Sequence, residues 1–394
     1  MSPGGFAQRR AIFFSFDGGT GVGHLSRLAR IAKRLQGRFA CLLVTGHRPA
    51  AEWLIPDECE YVHLPSWDSL LESKSRYWGR APFLSVDDDD AVRLRKGIIG
   101  GVVEAFRPDA IFVDHLPLGA HEELADVVRA ADGLKYLVSR GIQNETEDLP
   151  KLILGGAARE SMESHYHRIL VAADPRVFDF TRQYDLSPAI SRKTVHTGYV
   201  VDEVPPEIIR TTRADRGLAS GDRWVVASAG GGQRGEELIA GCVRLASHHR
   251  DVVFDIVQGP RSSLPWQRGS ATTMPIGDNV RLHRETRQMP YLHASADVVI
   301  STAGYNSLLE TLQGNAKILC FPFRKDERDE QHRHAARLRE FVDLEVSSEV
   351  SDLPTLFEKA IRSPGPRDRR RDLDYGGAEF IERVVLDDLG RPGP

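Results

Sequence analysis

STAGYNSLLETLQGNAKILCFPFRKDERDEQHRHAARL, residues Ser301 to Leu338, contains one structural unit written twice. The apolar run Ala296 to Ile300 that feeds it predicts a buried strand, followed by a turn at Gly304 and a segment whose Leu308, Leu309 and Leu312 recur at helical spacing. A second strand, Ala316 to Phe321, a polar loop and a helix from Glu330 to Leu338 repeat the pattern. In open α/β sheets ligands sit beyond the carboxyl ends of such strands, so the loops 301–307 and 322–331 are expected to be neighbours. Together they offer a helix start and the polar groups Asn306, Ser307, Glu310, Glu330 and Gln331. N–H groups at a helix end suit phosphate, and carboxylates and amides suit sugar hydroxyls. Ser307 and Glu310 also have the S-x-x-E spacing of a capping box, which needs no ligand, and for Glu310 both readings stay open.

The same device opens each half of the chain. Ala11 to Phe16 predicts a buried strand that empties into Asp17-Gly-Gly-Thr-Gly-Val-Gly-His24, after which Leu25, Leu28, Ala32 and Leu35 share one helical face. Trp224 to Ala229, the glycine run Gly230 to Gly235 and the helix Glu236 to Ala246 echo it. Glycines at such a turn let backbone N–H groups approach a ligand closely. The first loop lacks both the G-x-G-x-x-G dinucleotide fingerprint and the lysine of a phosphate-binding Walker loop. Further strands are expected at Phe39–Gly46, Tyr61–Leu64, Ala110–Val113, Tyr136–Ser139, Ile169–Ala172, Thr194–Val200, Val252–Val257 and Asn279–His283. The fold class is therefore α/β, with two Rossmann-like domains. Their expected limits are 1–203 and 223–370, joined by a polar linker at 204–222 that carries Pro205 and Pro206. In the final segment, 371–394, Phe380, Val384 and Val385 mark an amphipathic helix.

Composition narrows the class. At 394 residues, 41% hydrophobic and 27% charged, the chain suits two soluble domains, and a net charge of -4 argues against nucleic acid as a partner. Cys41, Cys59, Cys242 and Cys320 show no C-x-x-C spacing, the pattern of a reduced, cytoplasmic protein. No signal core or long apolar run is present, which leaves peripheral contact with the inner face of a membrane as the expected limit of membrane association. The run Asp87 to Asp90 is read as the N-terminal cap of a helix Ala91–Phe106 in preference to a metal clamp, and neither metal nor cofactor is expected.

Histidine at a loop–helix junction can take a proton near neutral pH, which makes His24 a candidate general base, with packing of the helix start as the competing role. Asp114, delivered with His115 by the strand Ala110–Val113, could orient His24, contact a substrate or cap the segment after it. Trp67, Tyr77, Trp78 and Phe83 are equally readable as substrate contacts or surface anchors.

The motifs G-Y-N-x-x-x-E from Gly304, L-x-x-P-F ending at Phe323, and E-Q-x-R-x-x-x-R-L from Glu330 resemble the carboxyl-terminal donor domain of the MurG-like glycosyltransferases, nearest to a branch of predicted bacterial glycosyltransferases. The resemblance implies the GT-B arrangement, two Rossmann-like domains facing across a cleft, with the last helix crossing back to the first domain. It assigns Glu310 to the nucleotide ribose, and Glu330 with Gln331 to the transferred sugar. Gly231, Gly232, Gln233 and Arg234 would lie against the donor diphosphate, although Gly232 stands where the family has serine. Thr286 aligns with the base-recognition stretch, and Gly304, Asn306, Ser307 and Phe323 complete the donor set. On the acceptor side the implied residues are Gly19, Thr20, Gly21 and Gly23, with His24 as the base. The expected activity is inverting, metal-independent transfer of a sugar from a nucleotide-diphosphate donor to a hydroxyl-bearing acceptor. By the resemblance the expected donor is a UDP-sugar, with UDP-N-acetylglucosamine as one candidate, and the acceptor a lipid-linked saccharide, a glycan or a secondary metabolite. A nucleotide-sugar epimerase or hydrolase on the same fold, and a non-catalytic nucleotide-sugar-binding subunit, are the alternatives.

Overall fold

Strands that are apolar on both faces force a parallel sheet with helices on each side, and the chain builds two of them. The computed structural model describes residues 8–16, 22–65, 88–143, 153–219, 221–230, 235–259, 262, 264, 276–322, 329–363 and 369–390, without the side chains of 48–50 and 88. They fall into two compact units that divide at Val200/Val201 and again at Leu373/Asp374.

In the first unit, β1 (Arg9–Phe14), β2 (Phe39–Thr45), β3 (Glu60–His63), β4 (Ala110–Asp114), β5 (Leu134–Arg140), β6 (Arg168–Ala172) and β7 (Thr194–His196) form a sheet of order β3-β2-β1-β4-β5-β6-β7. Every described pairing in it is parallel. The second unit holds β8 (Arg223–Ser228), β9 (Val252–Val257), β10 (Val280–His283), β11 (Val298–Ser301), β12 (Lys317–Cys320) and β13 (Leu344–Val346), in the order β10-β9-β8-β11-β12-β13. Both orders reverse direction beside the first strand of the unit, at β1/β4 and at β8/β11. Such a reversal opens a crevice at the carboxyl ends of the two strands.

Register decides what reaches those ends. Phe14 pairs with Val113, so β4 carries Asp114 one residue beyond its last partner on β1. Ser228 pairs with Ser301, which puts the last residues of β8 and β11 at one level. Leu25, Leu28, Ile31, Ala32 and Leu35, from the helix Gly23–Leu35, pack with Phe13, Phe39 and Phe112 in the core of the first unit. The helix Glu236–His248 gives Leu238, Ile239, Cys242, Val243 and Leu245 to the second core, with Phe254 and Phe357.

Two segments differ from the sequence expectation. The strand expected over 194–200 stops at His196, because Gly198 turns at φ 83 and the main chain of Tyr199 and Val200 bonds Asp374 and Gly376 instead. The stretch read as linker holds a helix, Pro206–Asp215, none of whose residues is buried. Polar ties fasten it to the second unit: Arg213 reaches Asp297 at 3.1 Å, and Arg216, just past its end, reaches the fully buried Asp255 at 2.9 Å. After Asp374 the chain belongs to the first unit, where Ile381 and Val385 of the helix Gly377–Gly390 join the core beside the helix Gly23–Leu35.

One glycine fixes the geometry on which the second candidate site rests. A Cβ on Gly314 would lie 1.8 Å from the carbonyl oxygen of Ala294, so the turn after the helix Tyr305–Thr311 sits directly on the backbone of the helix Met289–Ser295. Gly314→Ala is expected to cost about 1–3 kcal/mol through forced separation of these helices, measured by denaturant unfolding. A loss under roughly 0.5 kcal/mol, the range of unconstrained surface changes, would contradict the close contact.

Candidate functional site

In the first unit the site grows from the crevice between β1 and β4. Past β1, Ser15 and Phe16 lead towards the glycine loop, and the chain is next described at Val22, the N-cap of the helix Gly23–Leu35. His24 is the second residue of that helix, and Arg27, three positions on, shares its face. Both point at Asp114, the last residue of β4.

The two oxygens of Asp114 are divided between them. Oδ2 lies 2.5 Å from His24 Nδ1, while Oδ1 accepts from Arg27 Nε at 3.1 Å and Nη2 at 2.5 Å. Since a carboxylate only accepts, Nδ1 of His24 carries the proton and Nε2 is the ring's free base position. Side-chain exposure is 13% for His24, 2% for Arg27 and nil for Asp114. Desolvation lowers the His24 pKa to about 4, with the charges of Arg140 and Arg27 acting in the same direction and Asp114 opposing them. For Asp114, burial pushes the carboxyl up, but the Arg27 guanidinium and the hydrogen bonds outweigh it and hold the group below the usual carboxylate range. The result is a neutral imidazole on a charged carboxylate.

Phe16 meets the rings of His24 and His115 edge-on at 4.8 and 4.9 Å, and the two imidazoles are themselves 4.9 Å apart. His115 is 2% exposed and sits at φ 68, a strained backbone for a non-glycine residue directly after a strand end. Beneath Asp114, Phe14, Leu64, Ile99 and Leu124 line a cavity that also holds the buried Arg95–Glu123 pair, 3.2 Å apart. Of the predicted acceptor-side residues Gly23 opens the helix, whereas Gly19, Thr20 and Gly21 lie outside the described residues, as do Trp67, Tyr77, Trp78 and Phe83.

In the second unit β11 ends at Ser301 and turns through Ala303, fully buried at φ 57, into the helix Tyr305–Thr311. Gly304 is its N-cap, with no side-chain hydrogen bond, so Ser307 is the third helical residue and the capping-box reading of Ser307 and Glu310 is not realised. Glu310 turns to the neighbouring helix Met289–Ser295 instead, where its Oε2 lies 3.0 Å from His293 Nδ1. His293 Nε2 in turn faces the Ser228 hydroxyl at 3.2 Å. Tyr305 stacks on His334 at 5.3 Å, tying the start of this helix to the helix Glu330–Leu338 that carries Glu330 and Gln331. Gln331 Oε1 is enclosed and has no hydrogen-bond partner among the described residues.

Thr286 uses its hydroxyl to accept the Gln288 N–H in the turn before the helix Met289–Ser295. Gly304, Asn306 and Ser307 occupy the cap and first turn of the helix Tyr305–Thr311, half-buried. Gly231, Gly232, Gln233, Arg234 and Phe323 lie outside the described residues. Arg27, His293 and Ser228 were not selected from sequence. Only Arg27 had a usable signal, its i+3 spacing from His24.

Comparison with known proteins meets this geometry in the second unit. Residues 237–363 match the Glycosyltransferase family 28 C-terminal domain. The chain has the GT-B glycosyltransferase fold, and most of its second unit is similar to the carboxyl-terminal domain of that family. Over 158 residues it is 26% identical to a UDP-N-acetylglucosamine--N-acetylmuramyl-(pentapeptide) pyrophosphoryl-undecaprenol N-acetylglucosamine transferase from Sulfurihydrogenibium sp. (strain YO3AOP1), a match spanning 40% of this chain and 42% of that relative. Among solved structures, the calicheamicin glycosyltransferase CalG4 superposes with a TM-score of 0.63 at 15% identity, covering 98% of this chain and all of that one. The UDP-GlcNAc 2-epimerase of Methanocaldococcus jannaschii gives 0.57 at 10% identity, covering 96% and 99%. Likeness at such identities shows the fold, which is shared by transferases and epimerases. Among the described residues no helix is long and apolar enough to cross a membrane.

Proposed function

We propose that the chain is an inverting, metal-independent glycosyltransferase, with UDP-N-acetylglucosamine as the first candidate donor and a hydroxyl of a lipid-linked saccharide, glycan or secondary metabolite as acceptor. The His24–Asp114 contact carries the reading: a neutral imidazole, oriented through Nδ1 by a buried carboxylate, presents Nε2 as a base. As the acceptor oxygen attacks the anomeric carbon, its proton passes to Nε2 of His24. The bond from that carbon to the diphosphate oxygen breaks, and the electron pair leaves with the diphosphate. Asp114 stabilises the imidazolium so formed. Donor binding falls to the second unit. Glu310 takes the ribose, Glu330 and Gln331 the sugar, and main-chain N–H groups at the glycine loop 231–234 and at Gly304 the diphosphate. The matched family domain and the relative's UDP-sugar chemistry support this assignment. An acceptor of the relative's lipid-linked kind would bring the chain to a membrane surface as a peripheral partner.

A donor panel tests the proposal. UDP or a UDP-sugar at about 100 times its Kd should stabilise the fold by about 2.7 kcal/mol, read as a raised melting midpoint that persists with chelator present and is lost in Glu310→Ala. A rise that requires a divalent cation contradicts the metal-free reading, and no rise with any nucleotide contradicts the donor reading. Product analysis without acceptor separates the rival, since an epimerase converts the donor sugar with no partner.

A further inference from the structure

We infer that His293, held from behind by Ser228, is a positioning residue that sets the carboxylate of Glu310 for the nucleotide ribose; the inference rests on the donor reading above. The three side chains form a line through the second unit. Ser228 is the last residue of β8, His293 lies on the helix Met289–Ser295 and Glu310 on the helix Tyr305–Thr311. The contacts are 3.2 Å from Ser228 Oγ to His293 Nε2 and 3.0 Å from His293 Nδ1 to Glu310 Oε2. His293 is fully buried, Ser228 is 3% exposed, and the Glu310 side chain keeps 10% exposure.

Only the outermost member of the line, Glu310, retains access to solvent, so the imidazole acts through the carboxylate and touches no ligand itself. Nδ1 must donate, because a carboxylate only accepts. Nε2 is then left to the hydroxyl at the strand end, an arrangement that fixes both the tilt of the ring and the placement of its proton. A carboxylate without this support would turn about its side-chain bonds and lose the geometry that two adjacent ribose hydroxyls require, at a cost in both rotamer freedom and hydrogen-bond angle. The backbone backs the arrangement, since Gly314 seats the helix of Glu310 directly on Ala294, the residue after His293. A bland packing role would be filled equally well by leucine. The polar line predicts that it would not.

The test measures binding of UDP and of 2′,3′-dideoxy-UDP by titration calorimetry to the full chain and to His293→Leu, His293→Asn and Ser228→Ala. The wild-type chain should prefer UDP by about 10-fold or more. His293→Leu should lose that preference while its affinity for the dideoxy analogue stays within 2-fold. His293→Asn, which keeps a donor near the Nδ1 position, should restore most of the preference, and Ser228→Ala should lose about 3-fold. If His293→Leu does not fold, the His293→Asn and Ser228→Ala proteins decide: an undiminished preference in Ser228→Ala together with none in His293→Asn overturns the assignment. A wild-type preference retained in full by His293→Leu overturns it directly and leaves the donor reading intact. A wild-type chain that binds both nucleotides equally overturns the ribose role of Glu310, and the positioning role with it.

Discussion

Replacing His24 by alanine should lower glycosyl transfer by roughly 10²- to 10⁴-fold, the range of a general base, with little change in donor KM. The pH profile should carry the signature of this site. A base with an unperturbed imidazole loses activity below about pH 6.5, whereas burial lowers His24 to about 4, and its neutral form persists through the intervening range. The acid limb of kcat/KM should therefore lie near pH 4 to 5, provided the fold survives there. Stability follows from the same shift. Between these two pKa values the unfolded chain binds a proton that the folded chain refuses, so His24 contributes stability above about pH 6.5 that is lost as pH falls towards 4. His24→Ala should lessen the slope of that part of the stability–pH curve, to which the buried His115 contributes with the same sign, while removing the activity. Steady-state kinetics and urea unfolding between pH 4 and 8 check both. A variant with wild-type turnover would remove His24 from the mechanism.

Much of the fold was legible because parallel sheets advertise themselves. Ala110 to Asp114 is buried at every position, and Trp224 to Ser228 likewise, so continuous apolar runs marked the central strands. The repeated strand, glycine loop and helix then gave two units. Three-residue strands such as Leu344–Val346 carry too few residues to show a period. The helix Pro206–Asp215 escaped for a different reason: Arg213 and Arg216 hold it where an apolar face would usually do so, and sequence periodicity registers only the latter.

The sites divide along a similar line. His24 and Asp114, 90 residues apart, were legible separately, the one from a loop–helix junction and the other from a strand end, but their contact depends on register between β1 and β4. Beyond its spacing from His24, nothing in the local pattern sets Arg27 apart from the other basic residues of its helix, yet it is 2% exposed and bonded to Asp114. His293 lies in MPYLHAS, where nothing separates a carboxylate-orienting imidazole from packing. Glu310 resolved in the opposite sense, as its helix begins at Tyr305 and leaves the S-x-x-E spacing without a cap to form.

Asp114→Asn should have the largest combined effect, because one carboxylate serves two neighbours. Towards His24, an amide can donate to Nδ1 and leave the ring proton on Nε2, the atom that must accept from the acceptor hydroxyl. The rate should therefore fall about as far as in His24→Ala, and the double variant should be no slower than either single one, since the two residues act as a unit. Towards Arg27, the substitution leaves a guanidinium 2% exposed without its counter-ion, at a cost of about 3–5 kcal/mol. His24→Ala leaves the Arg27–Asp114 pair intact and should escape that cost. The two roles can then be separated. Arg27→Met combined with Asp114→Leu removes both charges and refills the space with apolar atoms, a replacement that is often neutral or stabilising. Stability should return towards wild type in that protein while transfer stays at the His24→Ala level. Chemical denaturation beside single-turnover kinetics measures both. Recovery of activity along with stability would mean that the carboxylate serves only to pair Arg27 and that His24 needs no orienting partner.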